Sequence, residues 1–144
     1  MNGLDILKTI TKDGISCKYF GGLMAINKLH FRRKQRIFYI CNTDRWENKG
    51  KHWIVMYYLN GVFEFFDPLG KPPDSLFSNF MQKYSSRFIF NKVKVQKVNS
   101  NTCGEYCIFF ASMRSRNVKF KDIIKYMHQD THVLGFVNDL ASCN

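Results

Sequence analysis

A chain of 144 residues, 45% hydrophobic and 16% aromatic, can bury one core but hardly two, and its 23% of charged residues excludes a disordered protein. Lysine and arginine number 22 against 11 aspartates and glutamates, and the resulting net charge of +11 attracts polyanions, nucleic acid first among them. No apolar run reaches the ~20 residues of a membrane span, and the opening Met-Asn-Gly-Leu-Asp-Ile-Leu-Lys contains no signal-peptide core. Five cysteines, an odd number at positions 17, 41, 103, 107 and 143, lack the spacing of a secreted scaffold and point to free thiols in a reducing, intracellular setting.

Leu4, Ile6, Leu7 and Ile10 fit an amphipathic first helix that stops near Gly14. Gly21-Gly22 predicts a turn. Ile37 to Cys41 predicts a buried strand, and Asn42 to Lys51 a polar loop. His52 to Leu59 reads as a central strand, Asn60-Gly61 as a hairpin turn and Val62 to Phe66 as the return strand, ended by Asp67-Pro68-Leu69-Gly70. Asp74 is placed to cap a helix whose apolar stripe is Leu76, Phe77, Phe80, Met81 and Tyr84. Phe88 to Val98 predicts one or two strands, followed by a polar loop from Asn99 to Thr102. From Cys103 to Ala111 the residues are apolar nearly all round, the mark of a helix buried at the centre of a domain. Phe120, Ile123, Ile124 and Met127 define a surface helix, and Val133, Leu134, Val137 and Leu140 a last one. The expectation is one mixed α+β domain over residues 1–144, a sheet rich in antiparallel pairs with helices packed against it.

Four residues carry candidate chemistry. Cys103 opens the buried helix, where orphan backbone N–H groups and the positive dipole end favour the thiolate, the reactive form of cysteine. Taken alone it is more often a small buried hydrophobe. Gly104 is expected to leave room for a substrate backbone. His52, at the mouth of the central strand, can serve as general base, and Asp67, at the end of the paired return strand, can orient its ring. Alone, His52 is more often a structural histidine and Asp67 more often a turn-former. Gln96 can donate a side-chain amide to an oxyanion beside the backbone N–H of Cys103, or can simply face solvent. Cys103 and Cys107 with His128 and His132 mimic a zinc finger, but their spacing is too long and the first pair lies within the apolar helix, so no metal is expected.

This order of residues, in the segments Lys-His52-Trp53, Phe-Phe-Asp67-Pro-Leu-Gly70 and Gln96-Lys-Val-Asn-Ser-Asn-Thr-Cys103-Gly-Glu-Tyr-Cys107, resembles the adenovirus protease (adenain) family of cysteine endopeptidases. Tyr19-Phe20-Gly21-Gly22 and Ile40-Cys41-Asn42-Thr43 resemble it too, so the likeness spans roughly residues 4 to 115. It implies a papain-related α+β fold with His52, Asp67, Gln96 and Cys103 catalytic, Trp53 packed beside the imidazole and no cofactor required for the chemistry. It further implies a viral or virus-like enzyme, a monomer that cuts precursor and capsid proteins at Gly-Gly or Gly-X sites, inside the host cell or packaged in the virion, with DNA as activator. The basic residues expected to meet DNA are Arg32, Arg33, Lys34 and Arg36, Lys92 and Lys94, and Arg114 and Arg116.

The chain also departs from that family. Asp67 stands where adenoviral enzymes carry Glu, and the segment Tyr84-Ser85-Ser86-Arg87 lacks the cysteine that joins their activating peptide by a disulfide, so such a peptide is not expected here. The competing readings are a SUMO-type, ubiquitin-like-protein deconjugating protease with the same catalytic groups, and a non-catalytic DNA-binding module. The seven-residue step from Gln96 to Cys103 favours the adenoviral branch over the deconjugating one.

Overall fold

The computed structural model describes residues 1–45, 52–97 and 100–143. Much of the loop expected from Asn42 to Lys51, and the Val98–Asn99 step between the expected strand and loop, lie outside the described residues. In chain order the elements are α1 (Gly3–Lys12), a 3-10 turn (Ser16–Lys18), β1 (Phe20–Ala25), β2 (Arg36–Asn42), β3 (Trp53–Leu59), β4 (Val62–Phe66), α2 (Ser75–Tyr84), β5 (Phe88–Phe90), α3 (Cys103–Ser115), α4 (Phe120–Tyr126) and α5 (Asp130–Ser142). The strands lie side by side in the order in which they occur. β2, β3 and β4 pair antiparallel, and β1 and β5 join the two edges in parallel.

Both faces of this mixed α+β sheet are covered, which explains why β3 reads as an unbroken apolar run rather than an alternating one. Phe38, Ile40, Val55, Tyr57 and Phe66 face α3, with Ile6 and Ile10 of α1, Ile123 of α4 and Val133 and Val137 of α5 closing around that helix. On the opposite face Tyr39, Ile54, Met56, Phe63 and Phe65 meet Phe77 and Met81 of α2. Ten residues of α3 are buried, Phe110 stacking on Phe66 with ring centroids 4.6 Å apart. Two carboxylates buried on this side are matched by the far end of α3: Glu64 accepts two hydrogen bonds from Arg114, at 2.8 and 3.0 Å, and Asp13 two from Arg116, at 2.7 and 2.8 Å.

The hairpin turn forms as expected, with Asn60 and Gly61 both at positive φ (50° and 87°). Asp74 caps α2 through the Leu76 and Phe77 N–H groups. Three expectations are corrected. Gly21-Gly22 does not reverse the chain. It sits inside β1, where the register slips between Phe20 and Gly22, and a Cβ on Gly21 would fall 2.5 Å from the Tyr39 ring, so the pair serves a bulge and a close strand approach. Leu76 is 54% exposed and stands outside the buried stripe of α2. The strand expected from Phe88 to Val98 stops at Phe90, because Asn91 turns inward and the residues after it bond to the Asp67–Gly70 loop instead of to a neighbouring strand.

Candidate active site

The β3–β4 hairpin pairs Val55 with Phe66, so the residues just outside it, His52 and Asp67, emerge at the same end of the sheet. His52 Nε2 donates to Asp67 Oδ1 at 2.6 Å, with the two side chains 16% and 6% exposed. With Nε2 committed, Nδ1 is the ring nitrogen left to face the sulfur of Cys103. The His52 backbone carbonyl accepts from the Thr43 N–H at 3.0 Å, which ties the histidine to the end of β2.

Cys103 is the first residue of α3 and is 8% exposed. Burial alone would raise its thiol. Hydrogen bonds from His52 and from the backbone N–H groups of Trp53 and Gly104 outweigh that, and its pKa falls below the ordinary value. The Gly104 N–H belongs to the first turn of α3, whose cap, Thr102, makes no side-chain hydrogen bond to the helix. A free helix N-terminus therefore meets the sulfur. Burial likewise disfavours a charged His52, yet its bonds to Asp67 and Cys103 raise its pKa to about 9. Both shifts act in the same sense. Together they favour the pair of thiolate and imidazolium over the neutral pair.

Gln96 lines one cavity of about 350 Å³ together with Cys103, His52 and Trp53. Its Nε2 donates to the Ser100 carbonyl at 2.7 Å, which leaves the second amide hydrogen for another acceptor, and its buried Oε1 has no partner among the described residues. Gln96 and the acid belong to one assembly. The Pro68 carbonyl accepts from the N–H groups of Val95 (2.9 Å) and Gln96 (3.0 Å), seating the glutamine's backbone on the Asp67–Gly70 turn. Gly70 permits this contact: its φ is +69°, and a Cβ there would lie 2.6 Å from the Lys94 nitrogen.

Asn91 is the positioning residue that sequence reasoning missed. It is 2% exposed, accepts from the Asp67 N–H at 2.9 Å, and donates to the carbonyls of Asp67 (2.6 Å) and Val93 (3.1 Å). Asp67 Oδ1 also accepts from the Leu69 N–H at 2.8 Å. The acid is thus clamped through its backbone and its side chain. Nothing in the local pattern around Asn91 links it to a residue 24 positions earlier. Gly104 corrects an expectation: a Cβ on it would stand 3.2 Å from Ile6 and from Met1, so the glycine makes room for the first helix and the residue before it rather than for substrate.

The expected DNA contacts separate into two groups. Arg114 and Arg116 are committed to Glu64 and Asp13, and Arg36 lies over the Tyr19 ring, donating to Ser115 and Asn117. Arg32, Arg33, Lys34, Lys92 and Lys94 are exposed. Among the described residues, no helix is long and apolar enough to cross a membrane.

A covered five-stranded sheet, with a buried helix presenting a cysteine to a histidine at the sheet's end, is the fold of the cysteine proteases related to adenain and Ulp1. The solved structures similar to this chain include the ASFV pS273R protease. One crystal structure matches with a TM-score of 0.72 at 18% identity, over 96% of this chain and 66% of that one, and a selenomethionine crystal structure matches with 0.65 at 20%, over 78% and 46%. The SUMO protease Ulp1, with its catalytic cysteine oxidised to a sulfonic acid, matches with 0.50 at 15%, over 99% of this chain and 79% of that one. At these identities the likeness is one of fold, and the chain spans between 46% and 66% of the length of the ASFV protease chains. No family model and no curated protein matches the sequence.

Proposed function

We propose that this chain is a cysteine endopeptidase with Cys103 as nucleophile, His52 as base and acid, Asp67 as the group that orients and charges His52, and Gln96 as an oxyanion donor. The reading is carried by the His52 ring held between the Asp67 carboxylate at 2.6 Å and a sulfur at the head of a buried helix.

In this mechanism the Cys103 thiolate attacks the scissile carbonyl carbon, forming the S–C bond and moving the carbonyl electron pair onto oxygen. The free amide hydrogen of Gln96 and the backbone N–H of Cys103 receive that oxyanion. As it collapses, the C–N bond breaks and the leaving nitrogen takes the proton from His52, leaving a thioester. Water then gives a proton to the neutral His52 and attacks the thioester, and expulsion of the thiolate restores the starting ion pair. Asp67 keeps its charge throughout and holds the ring in the tautomer that faces sulfur.

The finer reading is that of a viral or virus-like processing enzyme acting as a monomer on precursor proteins at Gly-Gly or Gly-X sites, within the host cell or the virion. Support comes from the sequence segments around His52, Asp67 and Cys103 and from the higher TM-score with the ASFV protease than with Ulp1. DNA is the proposed partner and activator, through Arg32, Arg33, Lys34, Lys92 and Lys94. Deconjugation of a ubiquitin-like protein is the second reading, favoured by the match of Ulp1 along nearly the whole chain.

The test is active-site titration with a Gly-Gly electrophile, with and without duplex DNA, next to Cys103→Ala. Stoichiometric labelling at Cys103 is expected, with no cleavage by a folded alanine variant. An alanine variant that cuts as well as the parent removes the assignment.

A further inference from the structure

Two cavities meet at His52. The first, of about 350 Å³, holds Cys103 and Gln96. The second, of about 270 Å³, contains no residue of α3 and lies over the ends of β3 and β4 and the start of α2. His52 and Leu69 are the residues common to the two linings.

We infer that the second cavity is the leaving-group subsite, which receives the peptide on the downstream side of the cut bond and selects an apolar side chain there. This rests on the protease reading above. His52 must deliver its proton to the leaving nitrogen, so the downstream chain starts at the imidazole. The acyl half stays with the sulfur and the oxyanion donors, inside the first cavity. A chain that crosses His52 away from Cys103 enters the second.

The lining sets the preference. Phe65 and Phe77, each 2% exposed, form an apolar floor with Leu69 and Pro72, and the volume suits one side chain of leucine or phenylalanine size. Of the carboxylates that line it, Asp67 holds His52 through Oδ1, and Asp74 accepts from the N–H groups of Leu76 and Phe77 through Oδ1. Lys71 brings an ammonium to the exposed mouth, which repels a second cation. A lysine or arginine in the cavity would lose hydration against the phenylalanine rings. Glycine would leave the apolar floor uncovered.

The test separates this subsite from the chemistry. A random peptide library is digested with the parent chain and with Pro72→Trp and Lys71→Trp, two substitutions at exposed positions that crowd the mouth from different residues, and the residues after each cut are read by mass spectrometry. In parallel, Cys103 is labelled with a peptide electrophile that ends at the reactive carbon and has no downstream part. For the parent, leucine and phenylalanine should exceed glycine and lysine about tenfold at the first or second position after the cut. At least one Trp variant should lose most of that preference while its Cys103 labels at the parent rate. Cutting with no downstream preference, or with a preference that neither variant alters, overturns the subsite and leaves the protease standing. Neither labelling nor cutting by the parent overturns the protease, and the subsite with it.

Discussion

Asp67→Asn isolates charge from geometry. The Asp67 backbone is held by Asn91 on both its N–H and its carbonyl, so an asparagine side chain should keep the same place and still accept from the Leu69 N–H. What disappears is the negative charge 2.6 Å from His52 Nε2. The rise of His52 from 6.5 to about 9 corresponds to about 3 kcal/mol of preference for the imidazolium, reached against the opposing effect of burial. Without the carboxylate, burial is opposed only by Cys103, and His52 should fall back by more than one pH unit. The imidazolium is then lost at a lower pH, so the alkaline limb of peptide hydrolysis moves from near 9 toward neutrality. Two measurements check this: the ring titration of His52 by NMR, which needs no activity, and the pH profile of kcat/KM. Unchanged ring titration in a folded variant would refute the electrostatic role assigned to Asp67.

Gln96→Ala should lower turnover by about 10²–10³ with little change in KM, the scale for one oxyanion donor, and a loss below a few-fold would remove Gln96 from the hole. Asn91→Leu strands the Asp67 N–H and carbonyl, so urea unfolding should reveal a loss of about 1–3 kcal/mol. Because Asn91 acts by positioning the acid, the same variant should also move the alkaline limb of the pH profile downward, which a purely structural role would leave in place. For DNA, affinity should fall steeply with salt, and Arg33→Glu with Lys34→Glu should lower the salt slope by about two. A flat salt dependence would dismiss the basic-surface partner.

The buried ion pairs bear on how the net charge of +11 should be interpreted. Composition alone treats Arg36, Arg114 and Arg116 as part of one basic surface. In the fold, the last two neutralise carboxylates on the sheet and near α1, and breaking such a pair from one side leaves an uncompensated buried charge. Of the residues expected to meet DNA, those left exposed lie in the Arg32–Lys34 and Lys92–Lys94 segments.

The local elements were legible because their signals are local. Asn60-Gly61 dictates its own backbone, and the apolar girth of Cys103 to Ala111 announces a helix enclosed on every side. The hairpin, in turn, brings His52 and Asp67 to one end of the sheet through strand register alone. Gly21-Gly22 misled because glycine permits a bulge as readily as a turn, and only the Tyr39 ring alongside decides between them. Phe88 to Val98 misled because alternation cannot reveal that the Asp67–Gly70 loop competes for its backbone hydrogen bonds. The sequence by itself determined which side chains are chemically able to act and the order in which the chain presents them. Tertiary structure alone decided the contact of His52 with Cys103, the Asn91 clamp and the cavity beyond the imidazole, since each joins segments far apart in the chain and long-range proximity leaves no periodic trace in the residues between.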